Sequence, residues 1–218
     1  MSVKDVSALP ALPVARLLRL IVVASILVAV VATLVDTASR TTVNPFNFFG
    51  YFTVQSNLLL AAVYLVVVLA RAQLDVRTLT TLRACATTSI VIVGLVYATL
   101  LAPLGAEGGV PLPWANTVLH VVTPLYGIVD WLAFRDRVPL PLNRLWVVLL
   151  YPLVWLAVVL VRGATDGWVP YPFLDPAHGY TAVAVTCIGI FVAFLMVGGL
   201  VFWASQLGRS RPLAKSTN

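Results

Sequence analysis

Long apolar stretches alternate with short polar connections along most of this chain. Each stretch is close to the ~20 residues that an α-helix needs to cross the hydrocarbon core of a bilayer. Hydropathy and flanking charge place the six stretches at 17–35, 45–70, 84–102, 114–134, 145–161 and 181–205. The pattern predicts an all-α fold in which residues 1–218 form one domain, a bundle of six transmembrane helices.

Composition and charge support this prediction and orient the chain. Apolar residues make up 61% of the sequence and charged residues 10%, which is unusual for a soluble protein. The alternate connections contain only two basic residues, Arg40 and Arg162. The other twelve of the fourteen lie in four segments, 4–19, 71–83, 135–144 and 209–215. Because cytoplasmic connections are rich in Lys and Arg, we expect both termini inside. Abundant Ala, Val and Arg with two Lys indicate a bacterial inner (plasma) membrane.

Several function classes do not fit the sequence. It has no basic soluble domain, so nucleic-acid binding is not expected. His120 is the only histidine inside a predicted span, whereas intramembrane haem usually needs paired axial ligands. No metal-ligand spacing or phosphate-binding glycine loop is present. We therefore expect no cofactor and no metal. The oligomeric state stays open.

Two clusters of polar residues lie inside predicted spans. Such residues are costly in a bilayer and usually face the bundle interior. In the second span, Thr53, Ser56 and Asn57 share one helix face. In the fourth, Asn116 precedes His120 by one turn. A hydroxyl beside an imidazole can act as nucleophile and base. Alternatively, Thr53 bonds to its own backbone and the other polar side chains hold helices together.

The two clusters are expected at similar depth in the membrane. Helices that begin at Pro45 and Pro113 would place Thr53 about 12 Å and His120 about 10 Å from their starts. The side chains can meet only if helices two and four are neighbours, which the sequence leaves open. Asp130 lies about 15 Å beyond His120 on the same helix. We expect it to pair with an inner arginine such as Arg135 or to belong to a polar track.

The last outer connection is aromatic and rigid. It contains Trp168, Tyr171 and Phe173, with Pro170 and Pro172 between them. The two prolines restrict the backbone, and a rigid aromatic segment suits a cover over a cavity. The alternative is an aromatic belt at the headgroup level, where Trp and Tyr are common. We expect these three aromatic residues to line or cover a pocket.

Three local patterns occur in a fixed order along the chain. They are Tyr51-Phe52-Thr53-Val54-Gln55-Ser56-Asn57-Leu58, then Trp114-Ala115-Asn116 with His120 and Pro124, then Gly167-Trp168 with Tyr171-Pro172-Phe173-Leu174-Asp175. Together with the six-span plan, they resemble the androgen-induced/androgen-dependent family of integral-membrane hydrolases and its bacterial membrane relatives. The resemblance covers residues 45–175.

The resemblance implies an activity and two catalytic residues. Animal members of that family cleave fatty acid esters of hydroxy fatty acids with a threonine nucleophile and a histidine, which correspond to Thr53 and His120. Two positions differ from the family pattern: Thr117 stands where animal members have a second histidine, and Pro170 is additional.

We therefore expect a hydrolase of lipid esters, with membrane lipids or a lipid ester as its partner. Thr53 would attack the ester carbonyl in the outer half of the bilayer and His120 would accept its proton. Asn116 would orient the imidazole or bind the oxyanion, with Ser56 and Asn57 in support. The alternative is a non-enzymatic membrane protein, such as a small transporter, a lipid-binding protein or an assembly partner.

Overall fold

The regular structure of this protein is helical. The computed structural model describes residues 13–69, 74–108, 111–134 and 136–207, and within these ranges it contains no strand. The predicted all-α class is confirmed. Five helices are long and apolar enough to cross a membrane: Pro13–Arg40, Phe52–Leu69, Val76–Gly105, Leu142–Thr165 and Tyr180–Ala204.

The α-helices are numbered in chain order. They are α1 (Pro13–Arg40), α2 (Pro45–Phe48), α3 (Phe52–Leu69), α4 (Val76–Val96), α5 (Pro113–Thr117), α6 (Thr123–Ala133), α7 (Leu150–Thr165) and α8 (Tyr180–Ala204). A π-helical turn, Tyr97–Leu101, extends α4, and a second one, Val118–Val122, joins α5 to α6. A 3₁₀ segment, Leu142–Leu149, leads into α7.

The predicted second span, 45–70, is not one helix. Asn44 caps α2, which is a single turn, and α3 begins only at Phe52. Between them, Gly50 lies against the ring of Trp168, where a Cβ atom would come within 2.5 Å of the ring. Thr53 is therefore the second residue of α3. The expectation that it lies about 12 Å along a helix starting at Pro45 is wrong, because the chain turns at Gly50.

The fourth predicted span, 114–134, corresponds to the continuous helical run of α5, the π-helical turn and α6. This run is not one of the five most apolar helices. Its polar residues Asn116, His120 and Asp130 lower its mean hydropathy. Of these, His120 and Asp130 are buried against neighbouring helices.

Helix α4 lies at the centre of the bundle. It packs against α3, α6 and α8, while α3 also packs against α1. Two glycines allow α4 and α6 to approach closely: a Cβ atom at Gly94 would lie 2.8 Å from Pro124, and one at Gly127 would lie 2.9 Å from Ile90. Small residues are common where membrane helices pack tightly. This contact brings the end of α4 beside the π-helical turn that carries His120.

Four charged side chains form a buried cluster away from this turn, which we call the charged tetrad: Arg19, Arg83, Asp130 and Asp136. Asp130 accepts from Arg19 Nε and from Arg83 Nη2, each at 2.7 Å. Asp136 accepts from Arg19 Nη1 at 2.7 Å and from Arg83 Nη1 at 2.8 Å. The two arginines and two carboxylates balance in charge, so each buried charge has two opposite partners.

The tetrad ties α1, α4 and α6 to the segment that follows α6. Burial opposes the charge on Asp136, but the hydrogen bond from Arg19 and the positive charge of Arg83 hold the pKa of that carboxyl well below its usual range. Arg135, which the sequence analysis named as a partner for Asp130, lies outside the described residues. The partners that the structure describes are Arg19 and Arg83, from two other helices.

Candidate active site

Thr53 and His120 meet in the interior of the bundle. Thr53 Oγ1 lies 3.2 Å from His120 Nε2, and both side chains are buried. Thr53 comes from the first turn of α3, and His120 from the π-helical turn between α5 and α6. Single π-helical turns inside α-helices are frequent at functional sites. Helices α3 and α5–α6 are thus adjacent at this level, and the distance is within hydrogen-bond reach of a nucleophile and its base.

The imidazole of His120 has a defined tautomer. Its Nδ1 lies 3.2 Å from the backbone carbonyl oxygen of Asn116. A carbonyl can only accept, so Nδ1 carries the hydrogen and Nε2 presents its lone pair to the Thr53 hydroxyl. This is the form in which a histidine can accept a proton from a hydroxyl.

Tyr97 holds the other side of the imidazole. Its ring stacks on His120 with centroids 4.4 Å apart and an interplanar angle of 25°. The side chain amide of Asn116 donates to the Tyr97 hydroxyl at 2.6 Å. Asn116 therefore orients His120 through its backbone carbonyl and through Tyr97. Tyr97 was not among the predicted site residues. Its position depends on the π-helical turn at the end of α4.

Tyr171 extends the hydrogen bonds on the other side of Thr53. The backbone N–H of Thr53, in the first helical turn and without an intrahelical acceptor, donates to the Tyr171 oxygen at 3.2 Å. The Tyr171 hydroxyl also lies 3.4 Å from Thr53 Oγ1. Because Thr53 donates to His120, it can accept from Tyr171. Burial raises the pKa of Tyr171 to about 12, so its proton remains in place at neutral pH.

Asn57 and Ser56, both predicted to support the site, lie in different surroundings. Asn57 donates to the backbone oxygens of Thr53 at 2.9 Å and Leu119 at 3.2 Å. It therefore ties α3 to the π-helical turn and sets the spacing between nucleophile and base. Ser56 faces α7 instead, with its hydroxyl 3.5 Å from that of Tyr151. It does not contact Thr53 Oγ1 or His120.

The aromatic residues of the last outer connection divide into two groups. Tyr171 and Phe173 stack at 5.2 Å and line the cavity that contains Thr53. Trp168 lies farther out, over Gly50, with the guanidinium of Arg162 4.2 Å from its ring centre. It borders a separate groove. Its ring meets that of Tyr51 edge to face, with the ring centroids 5.9 Å apart. Trp168 therefore anchors the connection, while the other two approach the reacting atoms.

Within the described ranges, no group of three or more His, Cys, Asp or Glu side chains could hold a metal ion. The chain matches no family model, and comparisons with curated proteins and with solved structures find no significant match. The geometry of Thr53, His120 and Tyr171 must therefore carry any functional argument.

Proposed function

We propose that this protein is an integral-membrane hydrolase of lipid esters, with Thr53 as nucleophile and His120 as general base. The observation that supports the proposal most directly is the 3.2 Å contact between Thr53 Oγ1 and His120 Nε2. The carbonyl of Asn116 beside Nδ1 favours the tautomer in which Nε2 carries no hydrogen. Thr53 is the second residue of α3, so no carbonyl of an earlier turn of that helix competes for its hydroxyl. The hydroxyl faces the base.

The first half-reaction forms an acyl-enzyme. Thr53 Oγ attacks the ester carbonyl carbon while its proton passes to His120 Nε2. The Tyr171 hydroxyl, within hydrogen-bond distance of Thr53 Oγ1, donates to the oxygen that becomes negatively charged. When the intermediate collapses, the carbonyl–alkoxy bond breaks and His120 returns the proton to the leaving alkoxide. In this assignment the oxyanion donor is Tyr171, and Asn116 positions the base.

The second half-reaction releases the acid. Water attacks the acyl carbon and gives a proton to His120 Nε2. The bond to Thr53 Oγ then breaks, and the proton on His120 returns to the threonine oxygen. Atoms and charges balance without any further reactant.

The proposal includes a membrane topology of six spans with both termini in the cytoplasm of a bacterial cell. In addition to the five long apolar helices, the run Pro113–Ala133 would be a span, the fourth in chain order, and it measures about 30 Å at 1.5 Å per residue. Its buried polar groups would face neighbouring helices and not lipid. The basic connections support this orientation, in which the Thr53 end of α3 would lie in the outer leaflet.

A covalent probe tests the nucleophile. The purified protein in detergent should react with a fluorophosphonate, and mass spectrometry should locate the adduct on Thr53. We expect no adduct with Thr53→Ala and normal labelling with Thr88→Ala, which removes another buried threonine, from α4. Labelling that survives Thr53→Ala would contradict the assignment. Folded protein that neither labels nor cleaves esters would favour a non-enzymatic lipid-binding protein.

Tyr171→Phe tests the oxyanion donor. Loss of the hydroxyl should lower kcat for ester hydrolysis about 10²-fold, the usual cost of removing one such donor. KM should change little, because the ring and its packing remain. The matched control is Tyr51→Phe, since the Tyr51 ring touches Tyr171 edge to face at 5.7 Å. Equal kcat values for the two variants would show that the Tyr171 hydroxyl has no role in the transition state.

A further inference from the structure

An apolar cavity begins at Thr53 and continues into the bundle between α4, α7 and α8. It has a volume of about 100 Å³, more than a single water needs. Of the side chains that line it, all but Thr53, Trp155, Tyr171 and Cys187 consist of carbon and hydrogen only. The indole N–H of Trp155 is already bonded to Gly50 O at 2.8 Å. Thr53 and Tyr171 thus supply the side-chain oxygen atoms of the cavity lining.

The cavity is elongated along the helices. Its α8 wall runs from Cys187 to Phe194, seven residue steps that span about 10 Å along the axis. Its α7 wall runs from the 3₁₀ segment at Leu149 to Leu156. An apolar shape with polar atoms at one place matches a ligand that has a hydrocarbon tail and one reactive polar group.

The cavity also reaches the surface of the bundle. Two of its lining residues, Leu153 on α7 and Phe191 on α8, are 48% and 40% exposed. Within the described ranges α7 makes few close backbone contacts with α8, which packs mainly on α4 and the 3₁₀ segment. Only 11% of the residues in the most apolar stretch of Leu142–Thr165 are buried, whereas 50% are buried in the corresponding stretch of Val76–Gly105. The cavity therefore borders the exposed surface of the bundle where α7 lies beside α8.

We propose that this cavity binds the acyl chain of the ester, which enters from the membrane between α7 and α8 and places its carbonyl carbon at Thr53. The inference rests on the proposed hydrolase function, because it identifies which part of the substrate the protein recognises. The protein would recognise the length and width of the hydrocarbon chain, because away from Thr53 and Tyr171 the lining side chains are apolar except for the Cys187 thiol and the Trp155 indole, whose N–H is bonded to Gly50 O. Transfer of the tail from bilayer to cavity exchanges one apolar environment for another, so its cost is small.

A matched pair of substitutions on α8 tests the cavity. Ile190 lines it, whereas Ile188, two residues away, is 63% exposed on the outer surface. Ile190→Trp should fill the middle of the cavity and lower kcat/KM for p-nitrophenyl palmitate at least 10-fold relative to p-nitrophenyl acetate. Ile188→Trp should leave this ratio unchanged. An equal effect of Ile190→Trp on both esters, or an equal shift in ratio for the two variants, would overturn the proposal.

Binding is also measured without turnover. In the Thr53→Ala variant, a palmitic acid analogue with a photoactivatable group on its tail should crosslink to residues of the cavity walls, and Ile190→Trp should reduce this at least 10-fold. Crosslinks confined to outward-facing residues such as Val185 and Met196 would reveal ordinary surface lipid and overturn the proposal. If crosslinks are confined to the cavity walls but the wild type does not hydrolyse esters, the cavity binds an acyl chain and the proposed hydrolase function is wrong.

A second measurement uses the unmodified cavity walls. In a Cys85→Ser background, Cys187 is the remaining thiol, and it lines the cavity. Palmitic acid should slow its alkylation by N-ethylmaleimide at least 3-fold, while acetic acid should not. Unchanged alkylation at saturating palmitic acid would contradict occupancy of the cavity.

Discussion

Replacement of His120 by alanine should lower kcat for ester hydrolysis about 10³-fold, within the range contributed by a positioned general base. Thr53→Ala should cause at least as large a loss, because it removes the atom that attacks. The double variant should be no slower than Thr53→Ala alone, since a nucleophile and its base act as a unit and their effects are not additive. Steady-state kinetics on purified protein would measure all three.

Thr53→Ser is the matched control for this series. It keeps the hydroxyl that faces His120 Nε2 and should retain most of the activity. Thermal unfolding of each variant in detergent would show that the protein remains folded. Losses that multiply in the double variant would mean that the two residues act in separate steps, and the proposed pair would then be wrong.

Asp130→Asn should cause the largest loss of stability. The substitution keeps the shape of the side chain but leaves Arg19 and Arg83 in the bundle interior with Asp136 as their one remaining counter-ion among the residues that the structure describes. Breaking a buried ion pair by removal of one partner costs about 3–5 kcal/mol. We expect a clear fall in Tm, measured by thermal unfolding in detergent.

Asp36→Asn is the control for Asp130→Asn. Asp36 pairs with Arg40 one turn away at 2.8 Å, and the Arg40 side chain is 63% exposed. Such a pair contributes at most about 1 kcal/mol, so its loss should shift Tm little. A Tm for Asp130→Asn that equals that of the control would show that the charged tetrad does not stabilise the fold. The tetrad lies about 15 Å from His120 along the helix, so the folded fraction of Asp130→Asn should keep its reactivity toward the fluorophosphonate.

The helical class and the approximate positions of the apolar helices were predictable from hydropathy. The predicted stretches 145–161 and 181–205 correspond to Leu142–Thr165 and Tyr180–Ala204, with ends shifted by a few residues. The second stretch shows where such prediction fails. Its apolar residues continue across Gly50, but the chain breaks there because Trp168, more than one hundred residues later, packs against the glycine. Hydropathy cannot register that contact.

The residues of the candidate site were also predicted only in part from the sequence. Thr53 and His120 were nominated because a hydroxyl and an imidazole inside apolar spans are costly. Their contact, however, depends on the packing of α3 beside the π-helical turn and on the two hydrogen bonds from Asn57. Tyr97 was missed because a π-helical turn has no simple sequence pattern. Ser56 was included because it shares a helix face with Thr53, but its hydroxyl faces Tyr151.

The sequence by itself determined that the chain is helical, that its helices are apolar enough for a membrane, and which few polar residues must be explained. These properties depend on the composition of each short segment and on the spacing of apolar and polar residues within it, both of which are read directly from the sequence. Only the tertiary structure decided that one threonine, one histidine and one tyrosine share a site, and that Asp130 pairs with Arg19 and Arg83. Helix neighbours and the backbone break at Gly50 arise from contacts between residues distant in the chain, which periodicity does not encode.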